Sequence, residues 1–257
     1  MEDKIRMVDI TEENLTESYY CGIKNPEHEG HQRKSAWMRT HFEKGLWAKV
    51  LLAEDGRQFG YIEYIPGQHA WRGVEAEGYM FIHCIWTFYK KYQRKGYGKR
   101  LIQACIDDAR KEGMLGAAVI ARDRPWLAKK EVFLKCGFEV VDAIPPDYEL
   151  LVKKLNRSSP DPRFKKDWGK KLEEYGKGLT IIRSDQCPHI AKFAGEIAEM
   201  AEKTYKLKPR IVELKTFQDA QNAPTPYAIF AVVYDRRLLA DYQISRSRFK
   251  NIMEKVL

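Results

Sequence analysis

Apolar and polar positions along the first 155 residues repeat with two different periods. Apolar residues at helical spacing predict helices over 29–44, after Gly98 and around 127–135. Runs rich in apolar and β-branched residues predict six strands between and after these helices. These strands cover 46–53, 59–65, 79–88, 115–121, 138–141 and 148–153. The order predicts a mixed α+β domain rather than a barrel or a helical bundle.

The last 80 residues have a second, shorter pattern. Strands are predicted over 179–183, 210–214 and 227–234, and a fourth runs through 242, with a helix after the first strand and another at the end of the chain. The turn formers Asn156-Arg-Ser-Ser-Pro-Asp-Pro-Arg separate the two patterns. We therefore predict a first domain over 1–155, a basic linker over 156–177 and a smaller α/β domain over 178–257.

Composition supports folded domains and suggests an anionic partner. Of the 257 residues, 44% are hydrophobic and 12% aromatic, which excludes a disordered chain. The net charge of +9 divides into +2 for 1–155 and +7 for 156–257. No nucleic-acid recognition motif accompanies the basic residues, so nucleic-acid binding is not predicted.

The sequence also predicts a cytoplasmic protein without a membrane segment or a metal. The longest apolar run, 227–234, is too short to span a bilayer, and the start of the chain does not resemble a secretory signal. Five scattered cysteines fit a reducing compartment. His28, His31 and His41 form a loose trio without further ligands at metal spacing, so we expect them on a solvated helix face.

The most informative segment is the basic, glycine-bearing stretch from 88 to 101. A strand ends there, a loop with Gly96 and Gly98 follows, and an amphipathic helix begins. Amides at a helix N-terminus attract an anion, and glycines allow it to approach the backbone, so the segment predicts a pyrophosphate site. The glycine spacing is neither that of a dinucleotide fold nor that of a P-loop.

Gln93, Gly96 and Gly98 resemble the Gln/Arg-x-x-Gly-x-Gly/Ala signature of the GNAT superfamily of acetyl-CoA-dependent N-acetyltransferases. The later Gly137-Phe138 pair is similar to a second segment of that family, and the resemblance spans about residues 4–155. It implies a mixed β-sheet flanked by helices. It also implies an acetyl-CoA cofactor held by the amides of 94–99 and by a strand end that splays from its neighbour. The cofactor-binding residues that it implies are Thr87, Phe88, Gln93, Arg94, Lys95, Gly96, Tyr97, Gly98, Lys99 and Phe133.

Two proton transfers remain to be assigned. Glu63 and His83 lie on predicted central strands, and either one is a candidate for deprotonating the amine; alternation could instead expose Glu63, and His83 could be a core residue. Phe133 stands where the family often has a tyrosine that protonates the leaving thiolate, so the thiolate would leave by another route or unassisted. The loop over 66–73 would either line the acceptor pocket or be an ordinary surface loop.

The smaller domain resembles a thioredoxin-like fold. Cys187-Pro188 stands at the first helix start, and Thr225-Pro226 precedes the third strand. In that family a cysteine caps the helix and faces a cis-proline, here Pro226, so Cys187 is a candidate reactive thiolate. Ile190 replaces the second cysteine, which disfavours dithiol chemistry. The two domains together resemble the bacterial YoaP-like acetyltransferases.

Three functional hypotheses follow from these observations. The first is an acetyl-CoA-dependent N-acetyltransferase that acts on a primary amine of a small molecule or peptide by direct attack in a ternary complex. The second, motivated by Phe133, is a non-catalytic acyl-CoA-binding sensor. The third is a thiol-dependent protein that acts through Cys187.

Overall fold

A computed structural model describes residues 5–257, so residues 1–4 of the predicted first domain lie outside the described part. The chain divides into two units. The first consists of the residues up to 26, 35–70 and 74–164, and the second of 27–34, 71–73 and 165–257. The long second stretch begins at 165, within the predicted linker, and two short earlier segments also belong to the second unit.

The first unit contains a large mixed sheet and a two-stranded one. Its strands are β1 (Arg6–Asp9), β2 (Trp47–Leu52), β3 (Gln58–Pro66), β4 (Val74–Glu75), β5 (Tyr79–Thr87), β6 (Gly116–Ala121), β7 (Glu139–Ile144), β8 (Tyr148–Lys154) and β9 (Arg163–Phe164). The seven-stranded sheet has the order β1-β2-β3-β5-β6-β8-β7, and β4 pairs with β9. Only the β5–β6 pair of the large sheet is parallel.

Three helices accompany this sheet in sequence: α1 (Glu29–Phe42), α2 (Tyr97–Lys111) and α3 (Lys130–Leu134). The predicted mixed α+β fold with helices flanking the sheet is confirmed, although the short strands β1, β4 and β9 were not predicted. Helix α3 is shorter than the predicted 127–135 because Lys129, which directly precedes it, has an extended backbone (φ −70°, ψ 147°) that cannot continue a helix.

Helix α2 packs on the sheet through the predicted stripe. Its buried residues include Leu101, Ile102, Cys105, Ile106 and Ala109, and the helix contacts β3, β5 and β6. Full burial of one such leucine or isoleucine stabilises the fold by about 1.5–3 kcal/mol. The helix ends just before Gly113, whose φ of 66° terminates the helical backbone.

A buried charge also anchors α2 to the sheet. Asp108 lies on the apolar face of α2, 4% exposed, and accepts a hydrogen bond from the Tyr64 hydroxyl. Lys49 Nζ lies 3.0 Å from its carboxylate and also pairs with Asp9. Burial alone would raise the pKa of Asp108, but the bonds from Tyr64 and Lys49 outweigh burial and hold this pKa below its usual value.

The second unit has its own four-stranded sheet. Its elements in chain order are α4 (Trp168–Glu173), β10 (Leu179–Arg183), α5 (Ile190–Tyr205), β11 (Arg210–Glu213), α6 (Phe217–Gln221), β12 (Phe230–Tyr234), β13 (Arg237–Ala240) and α7 (Arg246–Met253). The sheet order is β11-β10-β12-β13, with β10 and β11 parallel and the other two pairs antiparallel. Ser245 caps α7, since its Oγ accepts from the Arg248 amide at 3.2 Å.

The four predicted strands and two predicted helices of this unit are present in the predicted order, whereas helices α4 and α6 were not predicted. The thioredoxin-like label stays a prediction. The predicted cis-proline is wrong: within residues 5–257 the one cis peptide bond joins Pro145 to Pro146, so Pro226 is trans. The third strand begins at Phe230 and not at 227 because Ala228 has a left-handed backbone (φ 67°) that interrupts extended pairing.

No helix among residues 5–257 is long and apolar enough to cross a membrane.

Candidate active site

The parallel pair at the centre of the large sheet separates partway along its length. Strand β5 pairs with β6 from Tyr79 to Ile82, whereas its pairing with β3 continues to Thr87. Residues 83–87 of β5 therefore continue along β3 beyond the last residue that pairs with β6. The predicted divergence near Thr87 and Phe88 is present, and it begins earlier, directly after Ile82. Within residues 5–257, this segment has no strand partner on the side that faces away from β3.

A β-bulge coincides with this separation. Cys84 pairs with Glu63 and Ile82 pairs with Tyr64, so His83 is an extra residue between two regular pairs. Ile82 packs in the core cluster with α2, whereas Cys84 lies on the same face as Glu63. Bulges are common beside active sites, where they redirect a side chain.

The bulge brings the two candidate bases together. His83 Nδ1 lies 3.3 Å from Glu63 Oε1, and both side chains are completely buried. Tyr61 donates a hydrogen bond of 2.5 Å from its hydroxyl to Glu63 Oε2. The interpretation of Glu63 as a water-exposed residue is therefore wrong. Its two oxygens have separate partners, which offsets the cost of burying a carboxylate.

The surroundings of Glu63 fix the roles of its partners. Burial first, and then the charge of Glu63, raises the pKa of Tyr61 well above its usual value, so Tyr61 remains a hydrogen-bond donor. When Glu63 is ionised, His83 donates from Nδ1, which leaves the basic lone pair on Nε2. The sequence offered Glu63 and His83 as alternatives, but the structure makes them one unit.

Aromatic side chains line the same face of the sheet. Trp86 pairs with Tyr61 across the strands, and their rings stack with centroids 5.5 Å apart. The ring centroid of Phe88 lies 4.1 Å from that of Trp86. The ring centroid of Trp37, on α1, lies 6.1 Å from that of His83. The sequence analysis did not identify Tyr61 or Trp86. Each lies two residues before a candidate site residue, Glu63 or Phe88, and alternation along a strand would have placed it on the same face.

The predicted phosphate-binding loop connects β5 to α2. A short 3₁₀ turn over Lys90–Tyr92 precedes it, and Gly96 takes a left-handed backbone (φ 84°) immediately before α2 begins at Tyr97. Arg94 also has a positive φ of 60°. The first amides of a helix have no acceptor within that helix, so those at the start of α2 present donors together with the positive end of the helix dipole.

Side chains around this loop add positive charge and a hydrophobic base. Gln93, Arg94, Lys95 and Lys99 are exposed. Tyr97 instead packs at ring-centroid distances of 5.0 Å from Phe59 and 6.0 Å from Tyr92, which holds the loop against the sheet. The loop therefore offers main-chain amides and cationic side chains on a fixed support.

Gly98 tests whether this loop fits an anion. It lies in the first turn of α2, and a Cβ added there would meet nothing within 4 Å. Packing inside the chain therefore does not require a glycine, although glycine is a poor helix former. Open space over the backbone at this position fits a close approach by a phosphate group.

Phe133 does not fit its predicted place among the cofactor-binding residues. Its side chain has no exposed surface and packs in the hydrophobic core, 5.6 Å from Phe138. Phe133 is a core residue, because the face of α3 that carries it is turned toward the sheet.

The predicted solvated face with His28, His31 and His41 is also wrong in part. His31 and His41 are 1% and 7% exposed, and His41 stacks on Trp37 at 4.1 Å. Among residues 5–257 no group of three or more His, Cys, Asp or Glu side chains could hold a metal ion.

The loop over 66–73 is not an ordinary surface loop. It contains a 3₁₀ turn, Gly67–His69, and Ala70, Trp71 and Arg72 are buried. Residues 71–73 belong to the second unit, where Arg72 Nη1 donates to the Gln186 side chain at 3.4 Å.

Cys187 lies in the second unit, in the turn that precedes α5. It is half-buried and is not the cap of the helix, because α5 begins at Ile190 and His189 precedes it directly. Its neighbour Gln186 is buried and accepts a 2.7 Å hydrogen bond from Lys34 at its carbonyl. A reactive thiolate at Cys187 stays a prediction.

Comparisons with known proteins bear on both units. The sequence model of the acetyltransferase (GNAT) family matches residues 8–138, and a YoaP-like family model matches residues 210–251. An uncharacterized N-acetyltransferase named YoaP, from Bacillus subtilis strain 168, is 29% identical over 251 residues, which cover 96% of this chain and 97% of that protein.

Two solved structures are similar to about three fifths of the chain. The ribosomal-protein-S5-alanine acetyltransferase of Vibrio fischeri is 13% identical and covers 62% of this chain and 98% of its own, with a TM-score of 0.46. The PaiA N-acetyltransferase of Thermoplasma acidophilum, solved with coenzyme A, is 18% identical and covers 59% and 99%, with a TM-score of 0.41.

Proposed function

This chain belongs to the acetyltransferase (GNAT) family, and from that premise we propose that it transfers an acetyl group from acetyl-CoA to a primary amine. The observation that carries the proposal is the separation of β5 from β6 after Ile82, beside the bulge that holds His83. Donor binding, oxyanion stabilisation and amine deprotonation then have separate places around one strand segment.

The donor would be held chiefly by the loop before α2. The amides of 94–99 suit a pyrophosphate because they converge at a helix N-terminus, and the open space at Gly98 permits close approach. Arg94, Lys95 and Lys99 are exposed and add charge near the phosphates. Gln93, Gly96 and Tyr97 shape and support this loop.

The free side of β5 would bind the rest of the donor. Residues 83–87, with Thr87 and Phe88 at the end, provide main-chain groups for pantetheine. One N–H of this segment would donate to the thioester oxygen. Attack by an amine builds negative charge on that oxygen, and loss of one preorganised donor typically lowers kcat about 10²- to 10³-fold.

His83 and Glu63 would manage the proton of the amine. His83 Nε2 takes the proton as the amine nitrogen bonds to the thioester carbon, and Glu63 holds the imidazole through Nδ1 and stabilises its charge. The carbon–sulfur bond breaks, the amide forms and the thiolate leaves, without an acetyl-enzyme intermediate. Binding both substrates together supplies much of the rate.

The departing thiolate receives no proton from Phe133, which has none to give. A thiol has a pKa near 8.5, so its thiolate is a fair leaving group without help. The buried position of Phe133 fits this unassisted departure.

The assay that tests the proposal measures acetylated product by mass spectrometry across primary amines and peptides, together with acetyl-CoA affinity by calorimetry. We expect turnover of at least one amine class. Tight acetyl-CoA binding without any acetylated product would refute the proposal and favour the acyl-CoA sensor.

We also propose that the enzyme acts in the cytoplasm on small-molecule or peptide amines. The five cysteines are widely scattered along the chain, which fits a reducing compartment.

A further inference from the structure

The indole of Trp86 has an unusual position in the proposed acceptor site. It lies on the segment of β5 beyond the last pairing with β6, on the face that carries Glu63, between the rings of Tyr61 and Phe88. Its plane is within 12° of that of Tyr61. Trp86 therefore forms part of an aromatic wall that ends at the hydrogen bond from Tyr61 to Glu63.

The Nε1–H group of this indole is buried and makes no hydrogen bond to any part of the chain from residue 5 to 257. Buried indole N–H groups usually have an acceptor, so such a donor beside a reaction site requires an explanation. A substrate oxygen would provide the missing acceptor. An amine with no oxygen, such as a polyamine, would leave the donor unsatisfied.

The charge nearby limits what kind of oxygen this can be. Glu63 acts on Tyr61, which is the ring stacked on Trp86, and its charge contributes to the raised pKa of Tyr61. A negative carboxylate on the substrate would be repelled here, whereas an ammonium group would be attracted to Glu63 and to the aromatic faces. A neutral carbonyl satisfies the indole without that repulsion.

Resting on the proposed acetyltransferase function, we infer that the acceptor is an α-amino carbonyl compound of the amide type, either a peptide N-terminus or an α-amino amide. Its ammonium group lies toward Glu63 and His83, and its carbonyl oxygen accepts from Trp86 Nε1. Once the ammonium group has lost one proton to solvent, the neutral amine attacks the thioester carbon and gives its second proton to His83 as the thiolate leaves, while the adjacent carbonyl stays bound.

The test compares phenylalaninamide with phenethylamine, which has the same ring and amine but no carbonyl. We expect kcat/KM for the amide to be higher by roughly 10- to 100-fold, since a neutral hydrogen bond is lost with phenethylamine and a buried donor is left unpaired. Free phenylalanine should react less well than its amide. Equal rates for the amide and phenethylamine, or a preference for the free acid, would overturn the inference.

Trp86→Phe keeps the aromatic wall and removes the N–H. We expect the ratio of the two rates to fall toward 1, because the variant removes the hydrogen bond that only the amide substrate can accept. Trp47→Phe, on strand β2, is the matched control and should keep the ratio. An unchanged ratio in folded Trp86→Phe, with folding checked by circular dichroism, would assign the preference to another group and overturn the inference.

The wild-type comparison does not depend on any variant. Acetylation of amines without a carbonyl preference would refute this inference and leave the proposed function intact. Failure of every amine despite acetyl-CoA binding would refute both.

Discussion

Glu63 Oε1 lies 3.3 Å from Nδ1 of His83, and the two residues meet only because His83 is the extra residue of a bulge in β5. Without that extra residue, Glu63 would face Cys84 alone. The contact joins a carboxylate and an imidazole at the place where the parallel strands separate, which orients the ring of the proposed base.

His83→Gln should lower kcat by about 10²-fold, because general-base catalysis contributes at least that much. Steady-state kinetics at saturating acetyl-CoA measure this effect.

The control for this experiment is His69→Gln, a change outside the proposed site. Glu63→Gln should have a smaller effect on kcat than His83→Gln, since Glu63 acts through His83. A folded His83→Gln enzyme with an unchanged kcat would exclude the dyad from proton transfer.

Gly98→Ala should weaken acetyl-CoA binding by tenfold or more without destabilising the protein, because the added methyl group projects into space that the donor phosphates would use. The control is Gly195→Ala in α5, where an added Cβ also meets nothing within 4 Å. Calorimetric titration and thermal denaturation of both variants measure the effects. Equal acetyl-CoA affinity in the two variants would place the pyrophosphate elsewhere.

Asp108→Asn should lower the free energy of unfolding at pH 7 by about 3 kcal/mol, because it leaves Lys49 buried with a weakened partner. The folded-state pKa of Asp108 is lowered, so its contribution is present above the unfolded pKa of 3.8 and is lost as the pH falls below that value. The stability difference between wild type and variant should therefore shrink below about pH 4.

Urea unfolding at several pH values measures this difference. Asp107→Asn on the same helix is the control, since Asp107 is half-exposed and should show little change at any pH. A difference that stays constant down to pH 3 would show that the charge of Asp108 does not stabilise the fold.

Phe133→Tyr should destabilise the protein by about 1–3 kcal/mol, because it buries a hydroxyl in an apolar core. It should not raise kcat, since the side chain packs in the core cluster with Tyr64 and Ile82, on the face of the sheet opposite to Glu63. Thermal denaturation and steady-state kinetics check both expectations. A faster Phe133→Tyr enzyme would mean that this position does reach the leaving thiolate.

Sequence reasoning predicted the parts of the fold that depend on local pattern. The stripe of Leu101 to Ala109 faces the core as its spacing requires, and Gly96 takes the left-handed backbone that a tight turn before a helix demands. These features are local because one helix or one turn determines them.

The pairing of Glu63 with His83 could not be predicted in the same way. Regular alternation assigns faces within each strand, but the register between strands depends on a bulge that no residue type announces. The orientation of Phe133 could not be predicted either. Counting back from Gly137 matches Phe133 to a position in the family, but it does not show which face of α3 points toward the core. Helix α3 begins at Lys130 because the backbone of Lys129 is extended, a conformation that the residue type alone does not predict.

His83 is inserted between two normally paired residues of β5. If His83 were absent, the pairing of the other residues of β5 with β3 would be unchanged. Ile82 would still point toward α2 and Cys84 would still point toward Glu63, so a chain lacking this one residue keeps every other side chain on its present face. Deletion of His83 alone would therefore remove the proposed base and leave the strand pairing of the sheet intact.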